Sequence, residues 1–212
     1  MSKYPVIVFC AHNDDHLLGL GGSLIKYKNE GVLTKVYIFS FGPGSHPHLK
    51  EEVIVKRRLK EAQDAQRIMG EELVHFGLEE GKFDADEAKV KALIKDAIVD
   101  SDPQKIFTHS MDDPHPDHRA VYKVVKEVCE EMGYKNGLYL FNVWNHFNFR
   151  KRDSIKLVMD ISDTFKGKWE AFKKHRSQFM VMLTIGWFIW LKDRLKGMRY
   201  GFKYAEEFYK IQ

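Results

Sequence analysis

The hydrophobic positions fall in short blocks separated by longer mixed segments. Val6-Ile7-Val8-Phe9 is an unbroken β-branched and aromatic run, the pattern of a strand buried on both faces, and it predicts a strand over 6–11. Residues 17–25, rich in leucine and glycine, lead into a helix that ends near Gly31, and the glycines suit close packing on a sheet. Residues 35–40 predict a second strand, followed by a loop with Gly42, Pro43, Gly44 and Pro47. Residues 50–69 form a charged amphipathic helix that stops at Gly70, and 73–76 form a third short strand. Asp84 or Asp86 caps a helix that reaches Val99. A fourth strand covers 106–108, a helix covers 117–132 and ends at Gly133, and strands five and six cover 138–143 and 155–161.

Strands alternating with helices imply βαβ units. The expected fold is therefore α/β and Rossmann-like: one domain over 1–212, with a mostly parallel sheet and helices on both faces. The tail changes character. Residues 166–175 are helical, 179–191 are apolar, and 192–203 are basic and interrupted by glycine. Ala205-Glu206-Glu207-Phe208-Tyr209 closes the chain. The segment 176–212 is expected to pack on the domain or to form an interface.

Composition narrows the function. The chain has 212 residues, 44% of them hydrophobic, enough for one full-sized core. Its 34 basic and 30 acidic residues are mixed along the chain, and no basic block interleaved with aromatics points to nucleic acid. Cys10 and Cys129 make neither a disulfide framework nor a CxxC pair, so a reducing cytoplasm is expected and a thiolate zinc site is not. No signal peptide is read at the N-terminus. The apolar segment 179–191 is shorter than the roughly 18 residues that a membrane span needs. Gly19, Gly21 and Gly22 do not complete a dinucleotide fingerprint, because Leu24 takes the last glycine position.

Two polar stretches carry the chemistry. Cys10-Ala11-His12-Asn13-Asp14-Asp15-His16 follows the first strand, and Asp112-Asp113-Pro114-His115-Pro116-Asp117-His118 follows the fourth, about a hundred residues later. In open α/β sheets, ligands bind beyond the carboxyl ends of strands. His12, Asp15 and His118 make a His/Asp/His set of the kind that holds catalytic zinc with one position open. Asp14, beside a ligand but directed elsewhere, suits a general base. His115 suits a donor to a tetrahedral oxyanion or to a departing amine, and Asp117 suits holding a neighbouring imidazole in one tautomer. Two histidines and a carboxylate also suit Fe2+ or another divalent ion, so a non-haem iron oxygenase and a non-catalytic metal- or nucleotide-binding module stay open. His46 and His48 are expected to be exposed loop residues, and His75 a satisfied core or edge histidine.

With these residues in place, the chain resembles the LmbE/PIG-L family of zinc-dependent N-deacetylases. Ala11-His12-Asn13-Asp14-Asp15 is similar to the family's A-H-P-D-D motif, and His115-Pro116-Asp117-His118 to its H-P-D-H motif. The stretch from Arg58 to Gly70 is similar to an R-x-x-E helix. Lys168, Ala171, His175, Ser177 and Gln178 fall on a K-x-x-A-x-x-x-H-x-S-Q stretch, and Tyr204 to Phe208 on a closing A-E-x-F. The resemblance implies metal ligands His12, Asp15 and His118, base Asp14, and a transition-state histidine at His115. It places Arg58 near the substrate pocket, and Asp113, Trp144 and His146 are expected on the substrate side. The implied activity is zinc-dependent removal of the N-acetyl group from an N-acetylglucosamine-type sugar or glycoconjugate. An amidase acting on another acylated amine or a thiol conjugate is the alternative. A small-molecule substrate and a homo-oligomer are expected; contact of the 179–203 segment with a membrane surface is the less favoured option. Asn13 stands where the family has proline, His16 where it most often has glutamate, and Asp113 where some branches have tyrosine.

Overall fold

The structure is a computed structural model that describes residues 3–41, 51–83, 87–145 and 155–211, without the side chains of 51 and 178–185. The expected loop with His46 and His48, the caps Asp84 and Asp86, and His146 lie outside the described residues. The first half of the chain runs β1 (Val6–Cys10), α1 (Asp15–Asn29), β2 (Thr34–Ile38), α2 (Glu51–Met69), β3 (Glu72–His75), α3 (Glu87–Ser101) and β4 (Lys105–His109). The second half runs α4 (Pro116–Glu131), β5 (Leu138–Phe141), β6 (Lys156–Asp160), α5 (Phe165–Phe172), a 3-10 turn (Arg176–Gln178), α6 (Phe179–Arg199) and β7 (Ala205–Lys210).

The seven strands form one sheet in the order β3-β2-β1-β4-β5-β7-β6. The first five in that order are parallel. Strand β1 shows why its run is unbroken. Val6, Val8 and Cys10 enter one core with residues of α1, α2 and α5, while Ile7, Phe9 and Ala11 enter a second core with residues of α3 and α4. Both faces are covered, so neither set of alternating positions tolerates a polar residue. The glycines of α1 permit the expected close approach. A Cβ on Gly22 would meet Ile161 at 2.8 Å, and one on Gly19 would collide with the Phe141 ring.

The sheet differs from the sequence expectation at one edge. The closing stretch, Ala205–Lys210, is a seventh strand, inserted antiparallel between β5 and β6. Its two adjacent glutamates are both buried. Glu206 accepts hydrogen bonds from the Gly22 and Ser23 amides, at 3.1 and 2.8 Å, and from the Ser23 hydroxyl. It also takes the Lys168 ammonium at 2.6 Å, and that ammonium reaches Asp193 of α6 at 2.7 Å. Glu207 is satisfied by Lys156, Tyr200 and Tyr209. A charge can be buried when it is both paired and hydrogen-bonded. The Lys168 and Glu206 motif positions thus meet in one buried ion cluster that joins α1, α5, α6 and β7.

Among the described residues, no helix is long and apolar enough to cross a membrane. Replacing Glu206 with alanine leaves Lys168 with one acidic partner and strips three donors of their acceptor. Removing one member of a buried pair costs about 3–5 kcal/mol. Urea unfolding of Glu206→Ala is therefore expected to show a clearly lower midpoint with an unchanged slope; an unshifted midpoint would show the cluster to be dispensable.

Candidate metal centre

β1 and β4 are neighbours, and the chain goes on from β1 to one side of the sheet and from β4 to the other. Their carboxyl ends therefore open a crevice at the point where strand order reverses, the usual ligand position in such sheets. The two motif loops leave from these ends, which removes their separation in sequence.

Each loop is pinned by its own side chains. The His12 amide donates to Asp15 Oδ2 at 2.8 Å and fixes that carboxylate at the first residue of α1. In the second loop, His115 caps α4 and Pro116 follows in the first turn, where its missing N–H costs nothing. His115 Nδ1 accepts the Asp117 amide at 3.2 Å. Asn13, in the place of a proline, donates to the Phe41 carbonyl at 3.2 Å and accepts from His75 Nε2 at 2.6 Å. His75 is thus satisfied, and it stacks on Phe41. Burial pushes its pKa down to about 4.

His12, Asp15 and His118 bring one ligand atom each within 4.8 Å of one another. His118 Nε2 lies 3.2 Å from Asp15 Oδ1, and His12 Nδ1 lies 3.5 Å from Asp15 Oδ2. Two overlapping groups, His12/His115/Asp117 and His109/Asp113/His118, meet the same criterion. His16 belongs to none of them. It is buried with its Nε2 3.5 Å from Glu71 Oε1, just before β3.

Asp113 is not where the sequence reading put it. Its carboxylate is buried behind His118, with Oδ1 3.0 Å from His118 Nδ1. Oδ2 accepts the Val143 and Trp144 amides at 3.3 and 3.2 Å. With its lone pairs used this way, Asp113 orients the ring instead of meeting a substrate, the arrangement by which carboxylates hold metal-binding histidines. Asp117 Oδ2 lies 3.2 Å from His12 Nε2 and orients the other ring. Trp144 is partly exposed and Arg58 is buried. His175 is buried too, and burial lowers its pKa, with Asp14, His16, Glu61 and Arg58 near enough to influence it. Glu61 accepts the Ser177 amide at 2.8 Å, which draws this turn onto α2.

His109 escaped the sequence reading. It ends β4, is fully buried, and stacks on His118 with ring centres 3.9 Å apart. Its Nε2 accepts the Ala11 amide at 3.0 Å and lies 3.2 Å from Asp15 Oδ2. The signal was its place as the last strand residue before the second motif.

The electrostatics fit a cation. Burial opposes charge on His12, but the Asp117 and Asp15 carboxylates outweigh it and lift the pKa to about 10. Burial likewise opposes charge on His118, and Asp15 and Asp113 lift it to about 9. Burial disfavours the Asp15 carboxylate, yet His118 and His109 hold its pKa well below the usual range. A pocket that holds protons this firmly on two imidazoles has the field for a divalent ion, and binding must displace those protons. Because these pKa values are raised, protons compete more strongly as pH falls. Zn2+ affinity, measured by competition with a chromogenic chelator, is expected to rise steeply from pH 6 to pH 9; a flat profile would exclude both imidazoles as ligands.

Comparison with known proteins agrees with this geometry. A family model described as PIG-L, GlcNAc-PI de-N-acetylase, matches residues 7–129, which include both motif loops. YaiS of Escherichia coli (strain K12), an uncharacterized deacetylase, is 24% identical over 178 residues, covering 81% of this chain and 90% of the relative. GalB, the 4-carboxy-2-hydroxymuconate hydratase of Pseudomonas putida KT2440, superposes with a TM-score of 0.82 at 19% identity, covering 98% of this chain and 95% of its own. The N,N'-diacetylchitobiose deacetylase of Pyrococcus horikoshii superposes with a TM-score of 0.81 at 20% identity, covering 97% of this chain and 83% of its own. At these identities the superpositions establish the fold. The family match spans more than half of the chain, both metal-type motifs included, and the chain belongs to the PIG-L family of LmbE-like deacetylases.

Proposed function

We propose that the chain is a zinc-dependent hydrolase that removes the N-acetyl group from an N-acetylglucosamine-type amino sugar or glycoconjugate, releasing acetate and a free amine. The observation that carries this reading is the convergence of His12, Asp15 and His118 at one point, with His115 beside them. Support for the substrate class comes from the family description and from the chitobiose deacetylase that shares the fold.

The roles follow from the contacts. His12, Asp15 and His118 would hold the ion. Asp117 on His12 Nε2 leaves Nδ1 on the side of Asp15, and Asp113 on His118 Nδ1 leaves Nε2 on that side. A zinc ion held by these three residues would supply a water acidified to a pKa of about 7 and a Lewis acid for the carbonyl. Asp14 takes the proton of the attacking water. His115 Nδ1 already accepts the Asp117 amide, so the neutral ring carries its proton on Nε2. That N–H would hydrogen-bond the oxygen that gains charge as the acetyl carbonyl is attacked, while the proton that Asp14 takes from the water would pass to the departing amine. Burial, with His118 and His12 nearby, lowers the His115 pKa, which keeps the ring neutral and suits it to donating a hydrogen bond through Nε2. Arg58 and the exposed Trp144 are assigned to binding the sugar.

The superposition on GalB favours one second reading, the addition of water across a carbon–carbon double bond, since a base-held water and a nearby acid serve both reactions. Acetate release from a panel of N-acetyl sugars, with and without chelator, separates the two. Chelator-sensitive acetate release is expected, and hydration of an unsaturated acid without acetate release would replace the deacetylase reading. Asp14→Asn is expected to keep the metal and lose about 10²–10⁴ in kcat, the usual worth of a general base. Turnover at the unsubstituted rate would remove Asp14 from that role. His118→Ala is expected to lose stoichiometric zinc by elemental analysis.

A further inference from the structure

Helix α6 is held to the protein along one side only. Ile189, Lys192 and Asp193 are buried, and Gly197 lies against the Tyr204 backbone. The opposite side presents Trp187, Trp190, Leu195 and Met198, and Phe202 continues the line just past the helix end. At 100° per residue these positions fall within one face, joined by Arg194 and Arg199. Each of the five apolar side chains is between 38% and 60% exposed, and they account for five of the twelve large exposed hydrophobic residues among the described ones. Scattered exposed hydrophobics are ordinary, whereas a row of them with two tryptophans marks a contact surface.

The charges on this face have one sign. Of the basic residues between 186 and 203, Arg194, Arg199 and Lys203 lie on this side, whereas Lys192 is buried and Lys196 lies toward Glu207; the stretch carries a single acid, Asp193. That acid points inward and is paired with Lys168. The outward face therefore combines tryptophan, leucine, methionine and phenylalanine with uncompensated arginine and lysine. A second copy laid face to face would bring like charges together and offer no carboxylate to meet them. A surface of anionic head groups over acyl chains meets both demands, since tryptophan and long aliphatic side chains settle at the boundary while the cations reach the phosphates.

We propose that the outer face of α6, from Trp187 to Lys203, docks the protein on an anionic lipid surface. The helix lies along the sheet edge that carries the metal centre. It starts after the turn whose Ser177 is held by Glu61 of α2, and Lys192 at its middle donates to the Asn142 carbonyl, just beyond β5, at 3.4 Å. It ends at β7, whose Ala205 pairs with the last residue of β6. Docking therefore turns the crevice edge toward the head groups. The inference does not depend on the deacetylase reading.

Vesicle co-sedimentation of the full chain tests it. Binding to phosphatidylcholine vesicles containing about a third phosphatidylglycerol is expected at low salt, with at least tenfold weaker binding to pure phosphatidylcholine and strong weakening in 0.5 M NaCl. Trp187→Ala/Trp190→Ala and Arg199→Glu/Lys203→Glu are each expected to weaken binding about tenfold or more while leaving circular dichroism and the thermal midpoint unchanged. Absence of binding by the unsubstituted chain, or equal binding by both variants, overturns the proposal. So does a dimer in sedimentation velocity that Trp187→Ala/Trp190→Ala dissociates in the absence of vesicle binding, since the face would then join two copies.

Discussion

Everything near the crevice is arranged around one buried carboxylate. Asp15 is removed from water, and an ionised carboxylate there is tolerable only when its oxygens are engaged. One oxygen takes the His12 amide and lies beside His109; the other faces His118. These partners come from β1, β4 and α4, so the group holds only when the parallel pairing of β1 with β4 is in register. The surrounding carboxylates Asp113 and Asp117 act on the histidines and not on Asp15 directly, giving acids and imidazoles in alternation. Such an alternating set has little reason to exist in a structural core, where apolar residues of the same volume are no less stabilising.

A second charged cluster does the corresponding work away from the crevice. Lys168 draws Glu206 and Asp193 together, and Glu206 in turn holds two amides of α1. The last strand is thereby locked to the helix that begins with Asp15. The metal loop at one end of α1 and the ion cluster at its middle constrain the same helix from two directions, and the close approach of Gly19 and Gly22 to the sheet leaves it little room to shift.

The parallel half of the fold was legible because a strand covered on both faces must be largely apolar, and β1 reads that way throughout. Both motif loops were legible because their residue types are costly anywhere but at a reactive centre. What failed to show depended on partners distant in sequence. Ala205–Lys210 was not read as a strand, because its two glutamates find their partners on α1, α5 and the neighbouring residues of the tail. Asp113 was assigned to substrate because nothing in its own segment reveals the Val143 and Trp144 amides waiting for it. His109 fell between the strand read at 106–108 and the second motif, and its importance comes from stacking on a ring nine positions later.

The tie between Asn13 and His75 has a consequence for how such a centre can vary over time. Proline stiffens a loop from within, whereas here the rigidity is borrowed from β3 across a single hydrogen bond. Proline at 13 would leave a half-buried imidazole without its acceptor, and loss of the imidazole would leave the asparagine held by the Phe41 carbonyl alone. A change at the sheet's outer strand is therefore felt in a loop that it does not adjoin in sequence.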